Sequence, residues 1–198
     1  MVLTYGVTFN HMQYHQIIEL QKRVGTTPDG FWGEKSIAAC KKYMESLMPT
    51  DHPWPTSDQA SLTKFYGRPG DESMLVALDV HDLGLRYDGK DVKTLRCHHK
   101  VAPSLRRILE KIAAGPHAWV LKKYAGVYNY RPMRGGSLPS LHARGAAIDL
   151  AYDTNGNREH WPSRSDMPIE VMEIFAKEGW KNLGWAIGRD AMHAQATR

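Results

Sequence analysis

Residues 140–149 read SLHARGAAID, and this short stretch does most to decide the fold and the chemistry of the chain. Its second half predicts a strand over residues 146–152, in which successive side chains point to opposite faces of a sheet. One face would hold three side chains suited to a core: Ile148, Leu150 and Tyr152. The other face would present Asp149 between two alanines, whose small side chains leave room for a metal ion and a substrate.

A turn ahead of this strand would bring a histidine to the same carboxylate. Gly145 accepts backbone conformations that other residues avoid, so the chain can turn there and carry His142 back towards Asp149. Residues 189–195 read RDAMHAQ. If this segment enters a strand, three side chains share one face: Ala191, His193 and Gln195. Two histidines and one aspartate would then supply ligands to zinc, which with three protein ligands keeps a fourth position for water.

The remaining segments predict a mixture of helices and strands. Residues 10–47 indicate helix, loop and helix, with the second helix beginning near Glu34. Residues 48–57, MPTDHPWPTS, contain three prolines and favour an extended backbone. The larger C-terminal part contains further candidates: an apolar run over 74–80, helices over 102–114 and 168–178, and strands over 118–124 and 146–152. Because the strand candidates do not alternate evenly with helices, the sequence predicts an α+β fold.

Length and composition narrow the class of protein. The 198 residues suffice for one ordinary domain and a small one, and the formal net charge of +5 suits an anionic partner such as a cell envelope or nucleic acid. No run of eighteen apolar residues predicts a membrane span, and two cysteines are too few for a disulfide framework. The opening MVLTYGVTFNHMQYH lacks the regions of a secretory signal, so we expect a cytosolic protein until something releases it.

A second pattern lies near the N-terminus: Leu20-Gln21, Gly25, DGFWG at 29–33 and SIAA at 36–39. It resembles, over roughly forty residues, the peptidoglycan-binding repeat of many wall hydrolases. The resemblance implies a small helical bundle over residues 1–48 that adheres to bacterial peptidoglycan, followed by a linker over 49–61. Phe31 and Trp32 would stack on sugar or peptide, or else form the core of this bundle. The alternative is a helical hairpin that only supports the larger domain.

The two stretches around the histidines carry a further resemblance. Their patterns, SxHxxGxAxD and DxMH, are similar to those of the LAS-type zinc peptidases, which include D-alanyl-D-alanine carboxypeptidases and several bacteriophage endolysins. The similarity extends loosely over residues 62–198, including TKFYG at 63–67 and YNYRPMRGG at 128–136. The chain departs from the family at Ala194, where an aromatic residue is common, and in the preceding segment GWAIG at 184–188. The resemblance implies a zinc peptidase domain with a small antiparallel sheet.

The same resemblance assigns roles to individual residues. One Zn²⁺ ion per chain would have three protein ligands: His142, Asp149 and His193. Asp190 would act as the general base, and Arg131 or Arg134 would reach a substrate carbonyl or carboxylate. Ser140 would orient a ligand through its hydroxyl group, or else cap the turn.

Adjacent histidines at 98 and 99 would point to opposite faces of a strand, which argues against a second metal site there.

These roles imply an endolysin that cuts a stem-peptide amide bond, with the L-alanyl-D-glutamate bond as the expected target. Such a protein would be monomeric, would bind peptidoglycan rather than nucleic acid or a membrane, and would stay in the host cytoplasm until lysis. Three alternatives remain open. They are a D-alanyl-D-alanine carboxypeptidase, a wall-binding protein whose zinc is only structural, and a non-haem iron oxygenase, since two histidines and a carboxylate also suit iron(II).

Overall fold

The structure is a computed structural model that describes residues 13–133 and 135–198. It is 39% helical and 15% strand with small antiparallel sheets, which confirms the α+β prediction. The helices are α1 Tyr14–Val24, α2 Glu34–Leu47, α3 Gln59–Tyr66, α4 Ala102–Ala113, α5 Ile169–Lys177 and α6 Leu183–Ile187. The strands are β1 Leu75–Asp79, β2 Arg86–Tyr87, β3 Lys90–Asp91, β4 Thr94–His98, β5 Ala147–Asp149, β6 Lys181–Asn182 and β7 His193–Gln195. The described residues also include three 3₁₀ turns: Glu72–Met74, Ala118–Lys123 and Leu141–Arg144.

The strands form three small antiparallel sheets. β1 pairs with β4, β2 pairs with β3, and β7 lies between β5 and β6. In the last sheet Asp149 on β5 lies directly opposite His193 on β7. This register brings two residues that are far apart in the chain to the same point of the fold.

The N-terminal helices pack onto the rest of the chain rather than standing apart from it. Apolar side chains of α1 and α2 belong to the same core as those of the C-terminal part, and α2 contacts both α5 and α6. Arg23 on α1 makes ion pairs with Glu170 and Glu173 on α5, the latter at 2.7 Å. The hydroxyl group of Tyr43 on α2 donates to Glu173 at 2.8 Å.

Most of the predicted helices agree with the structure. The helix-loop-helix prediction is confirmed for the described part of residues 10–47, and α2 begins at Glu34 as expected. The helices predicted over 102–114 and 168–178 are also confirmed, within one residue at each end. Among the described residues, no helix combines the length and apolar character needed to cross a membrane.

Two strand predictions are corrected. Residues 118–124 form the 3₁₀ turn Ala118–Lys123 instead of a strand, because a short apolar run does not by itself distinguish the two conformations. The strand predicted over 146–152 is limited to Ala147–Asp149, because Ala151 has a φ of 50° and turns the chain. Tyr152 is therefore 37% exposed rather than part of the core.

The proline-rich segment is held against the body of the protein. Residues 48–57 contain neither helix nor strand, but Trp54 is buried and its indole nitrogen donates to the Glu178 carbonyl at 2.9 Å. The next helix begins at Gln59, inside the range expected for the linker, and Asp58 caps it.

Candidate metal centre

A capped turn sets the position of the first histidine. Ser140 precedes the 3₁₀ turn Leu141–Arg144, and its hydroxyl oxygen accepts from the His142 backbone N–H at 3.3 Å. Of the two roles considered for Ser140, the structure therefore supports capping. Gly145 follows with a φ of 64°, and a Cβ atom there would lie 2.8 Å from the His98 backbone nitrogen. The turn expected at Gly145 is confirmed.

Three side chains, here called the metal cluster, converge at this turn and the β5–β7 pair: His142, Asp149 and His193. One oxygen of Asp149, Oδ1, lies 2.9 Å from Nδ1 of His193 and 3.2 Å from Nε2 of His142. The two nitrogens are 3.1 Å apart. All three residues are buried, so these atoms form a compact triangle inside the protein.

The surroundings of the cluster fix which ring nitrogens carry hydrogen. His142 Nδ1 lies 2.7 Å from the Val127 carbonyl oxygen, which can only accept, so this nitrogen donates. Gln195 donates its amide N–H to the Thr197 hydroxyl oxygen at 2.9 Å, and in this amide orientation its carbonyl oxygen accepts from His193 Nε2 at 3.1 Å. In the neutral rings, the nitrogens that face Asp149 are therefore unprotonated. Metal-binding histidines are typically oriented in this way by an outer hydrogen bond.

The triangle fits a tetrahedral metal ion. Zinc binds imidazole nitrogen at about 2.0–2.1 Å, so two ligand atoms of a tetrahedron lie about 3.3 Å apart. The observed separations of 2.9, 3.1 and 3.2 Å are close to that value. A divalent cation would also be attracted by all three converging lone pairs, whereas one proton would bridge only two of them.

Electrostatics within the cluster favour an ionised carboxylate. Burial by itself would raise the pKa of Asp149, but hydrogen bonds and charge from His142 and His193, when these rings are protonated, outweigh it and lower the pKa. Burial would lower the pKa of His193, and the Asp149 carboxylate reverses this and raises it. Asp190 adds to the same effect on His193.

Two cavities, here together called the groove, border the cluster. A cavity of about 650 Å³ is lined by Asp149, His193 and Asp190, and a smaller one of about 250 Å³ by His142 and Asp149. Three residues line both cavities: Arg131, Asp149 and Met192. The cluster therefore contributes side chains to the walls of two neighbouring cavities.

The structure brings together most of the residues expected at the site. Asp190 lies at the groove wall with a φ of 59°, and its backbone oxygen accepts from the His193 N–H at 3.0 Å. Arg131 starts a hairpin-like segment in which the Ser140 N–H donates to the Arg131 carbonyl at 3.1 Å. Ser140 lines the larger cavity. Arg134, the other arginine candidate, lies outside the described residues.

The two aromatic residues expected to bind substrate lie elsewhere and differ from each other. Phe31 is 74% exposed and lines a separate cavity of about 460 Å³ with Asp29 and Lys35, so a core role for Phe31 is wrong. Trp32 is partly buried and packs edge-on against Trp161 with ring centres 5.4 Å apart. Neither lines the groove at the metal cluster.

A buried glutamine holds the Phe31 loop, defined as residues 26–33. The Gln21 amide nitrogen donates to Asp29 at 2.7 Å, to the Phe31 carbonyl at 3.0 Å and to Ser36 at 3.0 Å. Its oxygen accepts from the Gly30 N–H at 2.8 Å. The leucine–glutamine pair of the N-terminal pattern therefore orders the loop, with Leu20 in the core.

The adjacent histidines at 98 and 99 do not behave as expected for a strand. Their rings stack with centres 4.6 Å apart, because His99 lies beyond the end of β4. His98 is buried, with Nδ1 accepting from the Lys100 N–H and Nε2 donating to the Tyr66 carbonyl. Burial lowers the pKa of His98 to about 4, which indicates a neutral core histidine.

The sequence patterns indicate no role for Gln195 or Arg189. Gln195 orients His193. The sequence could have indicated this contact, because residues two apart share one face of a strand. Arg189 lines the larger cavity beside Asp190, which no local pattern indicates.

In comparisons with known proteins, no family model, curated protein or solved structure matches the chain.

Proposed function

We propose that this protein is a zinc-dependent peptidoglycan hydrolase that cuts an amide bond of the stem peptide, with the L-alanyl-D-glutamate bond as its target. The observation that carries the proposal is the metal cluster itself. Its three ligand atoms lie 2.9–3.2 Å apart, with the inner nitrogens unprotonated in the neutral rings, beside the groove. The resemblance of the same residues to LAS-type peptidases supplies the substrate class.

The residues around the cluster suit hydrolysis. Zinc bound there would lower the pKa of a coordinated water and polarise the scissile carbonyl group. Asp190 lies at the wall of the groove, so its carboxylate would accept the proton of the attacking water and pass it to the leaving amine. Arg131 lines both cavities, and its planar guanidinium group would hold a substrate carboxylate or carbonyl oxygen through two hydrogen bonds.

The shape of the groove favours an endopeptidase over a carboxypeptidase. An endopeptidase needs space for peptide on both sides of the bond that it cuts, whereas a carboxypeptidase needs a barrier just beyond one terminal residue. Asp149 lines both cavities, so the cluster borders two spaces that could each hold part of a peptide. Cleavage within the stem peptide is therefore the preferred reaction.

The N-terminal module would attach the enzyme to its insoluble substrate. Phe31 offers an exposed aromatic ring that would stack on sugar or peptide, and the formal net charge of +5 would favour an anionic envelope. We propose that the protein acts as a monomer on peptidoglycan, without nucleic acid or stable membrane association, and waits in the host cytoplasm until lysis.

Digestion of purified peptidoglycan tests the proposal. Zinc-loaded protein is incubated with sacculi, and the products are analysed by mass spectrometry for new amino termini. New D-glutamyl termini are the expected result. Free D-alanine would identify a carboxypeptidase instead, and binding to sacculi without new termini would leave a wall-binding protein with structural zinc.

A further inference from the structure

Trp32 of the Phe31 loop contacts the C-terminal part of the chain. Trp32 packs edge-on against Trp161, with ring centres 5.4 Å apart and an interplanar angle of 87°. Trp161 is buried, and its indole nitrogen donates to the Met167 carbonyl at 2.9 Å, which holds the ring in place. The contact therefore joins a loop of the N-terminal module to a fixed point of the larger part.

The backbone of Trp161 supports the groove wall that precedes the proposed general base. Its N–H donates to the Gly188 carbonyl at 3.0 Å, and its neighbour His160 forms a β-bridge with Arg189. Arg189 and Asp190 both line the larger cavity. A displacement of Trp161 would therefore move the segment 188–190.

Asp190 needs such support because of its backbone conformation. Its φ of 59° lies in the left-handed region, which residues other than glycine adopt only when the surroundings hold them there. On the C-terminal side of Asp190, the Met192 N–H donates to the Asn155 carbonyl at 3.0 Å. On the N-terminal side of Asp190, the supports are Trp161 and α6. Trp32 contacts Trp161, and α2 contacts α6.

We propose that Trp32 is a positioning residue for catalysis: through Trp161 it holds segment 188–190, and with it the Asp190 carboxylate, in place beside the metal cluster. The N-terminal module then has a second role besides attachment to the wall, since it completes the catalytic groove. This inference rests on the proposed hydrolytic function.

Kinetics on a soluble substrate separate this role from attachment. A synthetic stem peptide, which does not require wall binding, is used with Trp32→Leu, Trp32→Phe and the control Ile37→Ala, which alters a side chain that is 44% exposed on α2. We expect Trp32→Leu to lower kcat about ten- to hundred-fold, the scale of effect of a misplaced catalytic group, with KM and zinc content unchanged. Trp32→Phe restores most of the activity because it keeps a flat ring, and Ile37→Ala matches the wild type.

The outcomes distinguish the two proposals. If the wild type does not cleave the peptide or sacculi, the hydrolytic function itself is wrong. If the wild type is active and Trp32→Leu has the same kcat, or loses activity only through lost zinc or a lower melting temperature, the positioning role is overturned. A kcat for Trp32→Phe as low as that of Trp32→Leu would also overturn it.

Discussion

The metal cluster and the Phe31 loop differ most in what surrounds their central side chains. The three cluster residues are buried, and the outer nitrogens of the two imidazole rings donate hydrogen bonds to the Val127 carbonyl and the Gln195 side-chain oxygen. In the Phe31 loop the polar network lies underneath, around Gln21, and the aromatic ring projects into solvent. The first arrangement suits an ion that must be held at fixed distances, and the second suits adhesion to a large, irregular surface.

Removal of one imidazole from the cluster should have the largest effect. We expect His193→Ala to lose its zinc and its hydrolytic activity together, because two remaining ligands do not hold a catalytic zinc ion. Elemental analysis of the purified protein measures the metal.

His81 provides the matched control. Its Nδ1 also lies 2.8 Å from a carboxylate, that of Asp79, but the pair is exposed. His81→Ala should retain zinc. An unchanged zinc content in His193→Ala would contradict the ligand role.

Removal of the proposed base should affect the reaction without affecting the metal. Asparagine also tolerates the left-handed conformation of residue 190, so Asp190→Asn keeps the backbone and removes only the charge. We expect kcat to fall by roughly 10²–10⁴, the usual contribution of a positioned acid–base group, with full zinc content. Wild-type turnover in Asp190→Asn would show that another group accepts the proton.

The outer hydrogen bond of His193 should affect metal affinity by an intermediate amount. Gln195→Leu removes the acceptor for His193 Nε2, and outer partners of metal ligands typically contribute 10- to 100-fold in affinity. Competition with a chelator of known affinity measures the change. Gln195→Glu retains an acceptor and should bind zinc more tightly than Gln195→Leu does. Equal zinc affinities of the two variants would show that the Gln195 hydrogen bond does not contribute to metal binding.

The smallest effect is expected in the Phe31 loop. Phe31→Ala should weaken binding to sacculi roughly two- to tenfold, because one aromatic stacking contact contributes about 0.5–1.5 kcal/mol. Co-sedimentation with purified sacculi measures this. Tyr87→Ala, which removes an exposed aromatic ring from β2, is the control and should bind as the wild type does. Equal loss in both variants would indicate non-specific adhesion.

Local features of the structure could be predicted from local sequence. The spacing of apolar residues predicted α2, α4 and α5, and Gly145 predicted the turn, because both signals act over a few neighbouring residues. The candidate ligands were also predicted from short motifs. Two of them lie seven residues apart in one stretch, and the third belongs to a single motif near the end of the chain. The failure at 118–124 shows the limit, since a short apolar run fits either a strand or a 3₁₀ turn.

By itself, the sequence determined the fold class, the principal helices and the residue types of the candidate metal site. Only the tertiary structure decided that Asp149 lies opposite His193, and that Phe31 is exposed while Trp32 packs on Trp161. These features depend on contacts between residues far apart in the chain. Such contacts form only when the whole core assembles, so no short stretch of sequence encodes them.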